Sequence, residues 1–557
     1  MLDALRSAAQ AVRNLVSRSL DNLESPRGGF DSTHPWFLTD RERDNPATTL
    51  TSWTSGNAVL PLPHGHTYFE RLAHALDAVR VGDLVLFTDW RGDPEQLLTD
   101  DGLTIVDALV GAAHRGAIVR GLMWRSHMDS MGFHGPQNRE LVEKVNAAGG
   151  EVVLDQRVLA FGSHHQKFVV IRYCSPELDD VAFVGGIDLA RSRRDDADHH
   201  GDPISRPFPA EYGDTPPWHD VQVELRGPAV VDVETIFRER WDDPAALSRL
   251  PWQAIPDIVR PRVPREPSVI PSFPDSSPRR GTCDVQLLRT YPRRKPAYPF
   301  APQGERSVAR AYAKALHRAR SLIYIEDQYL WSLDVARVFA HALREHPTLR
   351  MMVVVPRYLD EEGVLTIPSA LLGHAEALEE LRSAGPDRVA VYNIENRSAV
   401  PVYVHAKVCI IDDVWATVGS DNFNRRSWTH DSELTAAILD TQRDDRAPID
   451  PAGLGDGARM FARNLRLSLA REHLDRDEAD VADLFDPAEF FTAFQTSAQK
   501  LEDWHRGGQR GPRPPGRLRP HSVDSSPSWQ RVMASPIYRN VVDPDGRPFK
   551  MRLTKRF

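Results

Sequence analysis

Cysteine is scarce: Cys174, Cys283 and Cys409 are the only three in 557 residues. Three thiols cannot build a disulfide framework. Cys174 and Cys409 lie on or beside apolar runs, so buried thiols in a reducing compartment are expected. Long apolar runs are also missing. None approaches the length of a membrane span, and the stretch Met1–Leu20 lacks the continuous apolar core of a secretion signal. Positive charge is not in surplus either. The net charge of −9 argues against a dedicated nucleic-acid binder. What remains is an ordinary soluble composition, 41% hydrophobic and 26% charged, in a chain too long for one core. Two domains of roughly 200–250 residues are expected.

The chain does hold a long internal repeat. The segment VHAKVCIIDDVWATVGSDNFNRRS, Val404–Ser427, carries His405 and Lys407 on an apolar run, then Asp412 and a glycine turn leading to Asn422. His164–Asp188 repeats it, with His165 and Lys167 standing 240 residues earlier. Gly185-Gly186-Ile187-Asp188 matches Gly419-Ser420-Asp421-Asn422. Val85–Phe87 falls against Ile323–Ile325, and His219-Asp220 against His430-Asp431. Residues two apart on a strand share a face, so each copy presents a histidine beside a lysine. A phosphate ester needs that set: a group to attack or protonate, and positive charge for the non-bridging oxygens.

Around the motifs, strands and helices alternate. In the first half, strands are expected at Val81–Trp90, Ala117–Trp124, Glu151–Asp155, Gln166–Ile171 and Val181–Gly186, with helices at Thr104–Gly116 and Arg139–Gly150. The second half repeats the order, which predicts an α/β fold of two homologous α/β/α sandwich lobes sharing one site. The expected divisions are an N-terminal helix and irregular segment (1–54), a first lobe (55–254), a Pro-rich linker (255–282), a second lobe (283–480) and a C-terminal region (481–557). That last region should hold a helix at Pro487–Glu502, a flexible Arg/Pro-rich stretch at Arg506–His521 and a hairpin around Pro544-Asp545-Gly546.

The paired HxK stretches, each followed by G-[GS]-x-[DN], resemble the phospholipase D superfamily, whose signature is HxK(x)4D with a downstream G-[GS] turn. The resemblance covers most of residues 55–480. YIEDQYL (Tyr324–Leu330), PWHDVQVELRGPAV (Pro217–Val230) and HDSEL (His430–Leu434) look like further family segments. One position departs: the first copy has Arg172 where the family has aspartate. That aspartate supports architecture in the family, so Arg172 would be accommodated by partners such as Asp179 or Asp180.

The resemblance implies that His165 attacks phosphorus, that His405 serves as general acid and base, and that Lys167 and Lys407 hold the phosphoryl oxygens. It also implies carboxylates downstream of each motif, Asp220 and Glu433, to orient the histidines, with Asp431 a competitor for Glu433. Which carboxylate serves which histidine stays open. Asn422 and Asp188 would stand at the phosphate site, Asp188 accepting from a lysine or histidine. Gly186, Ser420 and Gln328 are expected to contact substrate. His164 should face the other way as a structural residue. No metal and no cofactor are needed, and DDADHHGD (Asp195–Asp202) reads as a solvated insertion near the site. Trp90, Trp124, Trp218 and Trp331 stand near strand ends, either as packing or as a rim for acyl chain or headgroup.

The implied activity is hydrolysis of glycerophospholipids to phosphatidic acid and free headgroup through a phosphohistidine, with transfer to alcohols. The partner would be phospholipid at a membrane surface, met by a cytoplasmic, peripheral protein without a transmembrane segment. No nucleic acid is expected, and oligomeric state is not readable. A nuclease of the same superfamily would need a basic groove, which the charge does not support. A cardiolipin-synthase-like transferase belongs with members that usually carry membrane anchors. A non-enzymatic lipid binder would rest on Arg172 alone.

Overall fold

A computed structural model describes residues 30, 33–126, 135–206, 208–248, 267–359, 366–522, 538–554 and 557. The strands of the first half are β1 (Thr54–Pro63), β2 (Leu84–Asp89), β3 (Ile118–Trp124), β4 (Glu151–Asp155), β5 (Phe168–Arg172), β6 (Val181–Gly185), β7 (Trp218–His219) and β8 (Val221–Arg226). Those of the second are β9 (Cys283–Tyr291), β10 (Glu305–Arg306), β11 (Leu322–Asp327), β12 (Arg350–Val354), β13 (Val389–Ile394), β14 (Tyr403–Val404), β15 (Lys407–Ile411), β16 (Trp415–Gly419), β17 (Glu433–Asp440) and the late β18 (Leu518–Pro520).

The repeat in sequence is a repeat in topology. The first half runs β1-β8-β6-β5-β2-β3-β4 and the second β9-β17-β16-β15-β11-β12-β13. In each, three parallel strands linked by helices (Ile105–His114 and Gly135–Ala147; Leu333–Glu345 and Thr366–Ala384) meet an antiparallel run that holds the motif strand, β5 or β15. The two sheets join edge to edge, Thr54 opposite Val285, into one sheet. Its strands are buried along their length and carry apolar runs such as LVLF in β2 and VCII in β15, because both faces are covered. Alternate residues feed different layers. Leu86, Val170, Val223, Val285, Val408 and Phe490 belong to one apolar layer that continues across both halves. On the opposite face each half keeps its own core, around Phe87, Val119 and Phe183 in one and Ile325, Met351 and Trp428 in the other.

Several expectations need correction. Cys283 and Cys409 are buried, but Cys174, just past the end of β5, is exposed. Asp195–Asp202 is solvated only in part: Asp196, Asp198 and His200 are exposed, but Asp195, His199 and Asp202 are buried, with Glu472 and the backbone of Arg194 and Trp218 holding their side chains. The Arg506–His521 stretch, expected to be flexible, makes specific contacts with the body. Asp486 caps the helix Pro487–Arg506, and the chain then returns as β18 along β13. Arg513, Arg517 and Arg519 pair with Glu395, Asp475 and Glu502. No hairpin forms at Pro544–Gly546. A π-helical turn (Tyr538–Val542) and a short helix (Phe549–Thr554) flank it, and Gly546 donates to Thr429 Oγ1 at 3.0 Å. The helix expected in Met1–Leu20 and the linker from 255 to 266 lie outside the described residues. Among the described residues no helix is long and apolar enough to cross a membrane.

Candidate active site

Both motif histidines are brought in by strands that pair across the halves. β14 runs parallel to β7, Val404 opposite His219, and the His405 N–H donates to the His219 carbonyl at 2.7 Å. His164 bridges to Ser432, and the His165 N–H donates to the Ser432 carbonyl at 2.9 Å. Each histidine therefore sits beside the carboxylate that follows the other half's motif. His165 Nδ1 lies 2.9 Å from Glu433 Oε2, and His405 Nδ1 lies 2.6 Å from Asp220 Oδ2. With Nδ1 engaged in both rings, Nε2 is the nitrogen left to react. Asp431, the rival for Glu433, instead accepts from the Ser163 N–H and pairs with Arg426.

The glycine turns support those carboxylates. A Cβ on Gly186 would stand 2.3 Å from Asp220 Oδ1, so a side chain there would displace the partner of His405. At the matching place Ser420 Oγ donates to Glu433 Oε2 at 2.5 Å, steadying the partner of His165. Gly186 and Ser420, expected to contact substrate, both stand beside these carboxylates. Gln328 accepts from Lys407 at 3.1 Å and donates to the Tyr403 hydroxyl at 2.7 Å.

Lys167 Nζ donates to the His165 carbonyl at 3.0 Å and lies 3.5 Å from Asp188. Lys407 Nζ donates to the His405 carbonyl. Burial, helped by Lys167, pushes the Lys407 ammonium down to about 8 against the pull of Asp220 and Asp327. Burial, with Lys407 and Arg193 beside it, also holds the His405 imidazole well below its ordinary range. Asp188 is buried next to Asp89. Burial and the facing Asp188 carboxylate raise Asp89, while Lys167 and Arg193 outweigh burial at Asp188 and lower it. The two neighbouring carboxylates are thus pushed in opposite directions, Asp188 toward the anion that faces Lys167 and Arg193. Asn422 is buried, and among the described residues its Oδ1 has no hydrogen-bond partner.

Arg172 is accommodated by an exchange of positions. In the second half Asp412 accepts from the N–H groups of Arg320, Ser321 and Leu322, tying the end of β15 to the start of β11. In the first half the carboxylate comes from the other side. Asp83, which aligns with Ser321, accepts from the N–H groups of Cys174 and Arg80 at 2.7 and 2.8 Å. Arg172 then pairs with Asp180 and Glu234 and donates to the Pro274 carbonyl. Asp180 was expected here; Asp179 pairs with Arg280 instead.

Sequence reasoning missed Asp89, Asp327 and Arg193. The first two align with each other in the same frame as Val85 with Ile323, a signal present in the repeat. Arg193 had none: it comes from the loop after β6, stacks 3.9 Å over Trp218 and lies 3.7 Å from Asp188. Trp124, Trp218 and Trp331 are buried packing residues. Trp90 is half-buried, stacked on Trp124 and 6.0 Å from the His165 ring. His164 is fully buried, 3.2 Å from Gln166.

Comparison with known proteins gives two family matches, "Phospholipase D" over residues 133–333 and "Cardiolipin synthase, PLD-like domain" over residues 312–446. Phospholipase D alpha 1 of Cynara cardunculus is 27% identical over 426 residues, 58% of this chain and 50% of that protein. Phospholipase D A of Dictyostelium discoideum is 24% identical over 470 residues, 73% of this chain and 35% of that protein. The chain thus spans about half the length of the Cynara relative and about a third of the Dictyostelium one. Among solved structures, the phosphatidylserine synthase of Haemophilus influenzae Rd KW20 is 14% identical with a TM-score of 0.48, over 72% of this chain and 87% of that one.

Proposed function

Since the chain belongs to the phospholipase D superfamily, we propose that it cleaves glycerophospholipids on the headgroup side, releasing phosphatidic acid. The observation that supports this most is the crossed pair of dyads, His165–Glu433 and His405–Asp220, each beside its own lysine. His165 Nε2 attacks phosphorus while His405 gives a proton to the departing headgroup oxygen, leaving a phosphatidyl group on His165. Water then loses a proton to His405, attacks phosphorus and restores the free imidazole. An alcohol arriving first gives a phosphatidyl-alcohol, so hydrolysis and transfer are kinetic outcomes of one mechanism. Lys167 and Lys407 stabilise the charge that builds on the non-bridging oxygens.

His405 must be protonated to act first as an acid, yet burial and its cationic neighbours keep it neutral in the free site. A phosphodiester brings the negative charge that offsets Lys407 and Arg193. Protonation of His405 therefore accompanies substrate binding.

The test is product analysis with mixed phospholipid vesicles and a primary alcohol. The intact chain should yield phosphatidic acid and phosphatidyl-alcohol, and His165→Ala and His405→Ala should yield neither. Turnover of no lipid by the intact chain would end this reading and move the search to nucleic acids and other diesters. Lipid bound but never cleaved would make it a binding protein.

A further inference from the structure

Next to Asp220 in the chain stands a second group of buried histidines that the reaction does not use. His64 precedes the helix Gly65–Asp77, His199 lies in the loop after β6, His219 is on β7, and Glu472 is near the end of the helix Met460–Leu474. The three histidines are buried, and one donor atom from each of the four lies within 4.8 Å of every other. His64 Nε2 is 2.7 Å from Glu472 Oε2. His199 Nε2 and His219 Nδ1 are 2.9 and 3.4 Å from Glu472 Oε1. Three imidazoles thus converge on one carboxylate.

Outer carboxylates orient the rings so that these atoms can act as donors. His219 Nε2 faces Glu326 Oε2 at 2.7 Å, and Glu326 Oε1 is taken by the His473 ring and the Tyr324 hydroxyl. A proton on Nε2 leaves the His219 lone pair on Nδ1, which is fully buried and, among the described residues, has no partner in hydrogen-bond geometry. His199 has Asp195 Oδ2 3.6 Å from Nδ1, leaving Nε2 directed at Glu472. Imidazoles backed by carboxylates on the far nitrogen are the usual outer arrangement of a metal centre. The backbone carries a cost for this placement. His64 has φ 69° and ψ 147°, and His199 has φ 56°, regions that side-chain-bearing residues seldom enter.

We propose that His64, His199, His219 and Glu472 bind one divalent transition-metal ion of the zinc class in a closed, four-donor structural site. Three nitrogen donors suit zinc and its neighbours and are wrong for calcium or magnesium, which take oxygen. The ion's role is positional. The His64 N–H donates to the Asp220 carbonyl at 2.8 Å, and the His219 carbonyl accepts from His405. An ion holding His64 and His219 to Glu472 would fix the segment that carries Asp220, and would tie it to a helix of the other half.

The test reads metal and does not depend on lipid turnover. The full chain, with the exposed thiol removed as Cys174→Ser, is treated with chelator and titrated with Co2+ and then Zn2+. One equivalent of Co2+ should bind with the visible absorption of a four-coordinate site, and Zn2+ should displace it and raise the melting midpoint. His199→Gln and His64→Gln should each weaken binding at least 100-fold, and Glu326→Gln, acting through His219, by roughly 10–100-fold. Asp196→Ala with His200→Ala, two exposed neighbours, should change nothing. A folded chain that takes up neither ion and melts at the same temperature with or without Zn2+ would overturn the proposal. So would full stoichiometry in both His199→Gln and His64→Gln. Should one of those two fail to fold, the other together with Glu326→Gln decides the matter.

Discussion

At Arg172 a single residue breaks the family pattern, and its surroundings explain how. Asp83 supplies the carboxylate that Asp412 supplies in the second half, and Arg172 neutralises Asp180 and Glu234. Restoring the pattern should therefore do harm. Arg172→Asp would place a third carboxylate beside Asp180 and Glu234, with only Arg238 on Glu234 left to offset them, costing about 3–5 kcal/mol of stability by denaturant unfolding; a gain in stability or activity would refute the exchange. Lys407 makes a second prediction. Its ammonium titrates at about 8 when no anion is bound. Above that pH the amine is neutral and the cation is lost, so kcat/KM should fall about tenfold per pH unit. Lys407→Arg, which keeps its charge, should move that limb to higher pH. The repeat made His165, Lys167, His405 and Lys407 legible, because duplication in register singles out residues that one copy cannot. Asp89 and Asp327 were legible by the same alignment and went unread. The His–carboxylate pairing was not, since it depends on β7 meeting β14 across 185 residues of chain.

Among the elements, the alternation of strands and helices was readable because each strand is a short apolar run bounded by a turn. The C-terminal return was not. Its Arg/Pro-rich composition matches that of a flexible segment, and only tertiary partners tell the two apart. Arg519 lies between Glu395 and Glu502, and Arg517 pairs with Asp475 while also donating to the Ala197 carbonyl. These contacts fasten β18 to β13 and reach the loop that holds His199. Arg519→Ala leaves Glu395 with His505 and Arg513 as partners, so the loss should be moderate, ~2 kcal/mol. Hydrogen exchange should quicken along Val389–Ile394 before it does in β11 or β12. Unchanged protection there would mean that the segment is held by something other than these pairs.

Over the whole molecule, the fold makes neither half sufficient. Glu433 faces His165 and Asp220 faces His405, so each motif imidazole is held by the other half's chain. The halves meet through backbone pairing, β1 with β9 and β7 with β14, and through an apolar layer common to both. Such an interface needs no covalent link to be specific. A chain cut within residues 249–266 and expressed as two fragments should therefore reassemble, and co-purification should show it. Either fragment alone should give no lipid turnover, because its histidine lacks the carboxylate that fixes its tautomer. Together they should recover activity, and Glu433→Gln in the second fragment should depress it by roughly 10²–10⁴-fold although His165 lies in the first. Activity from a single fragment would mean that one histidine works without its partner carboxylate and that the second histidine is dispensable. Recovery undiminished by Glu433→Gln would instead show that His165 needs no partner across the interface.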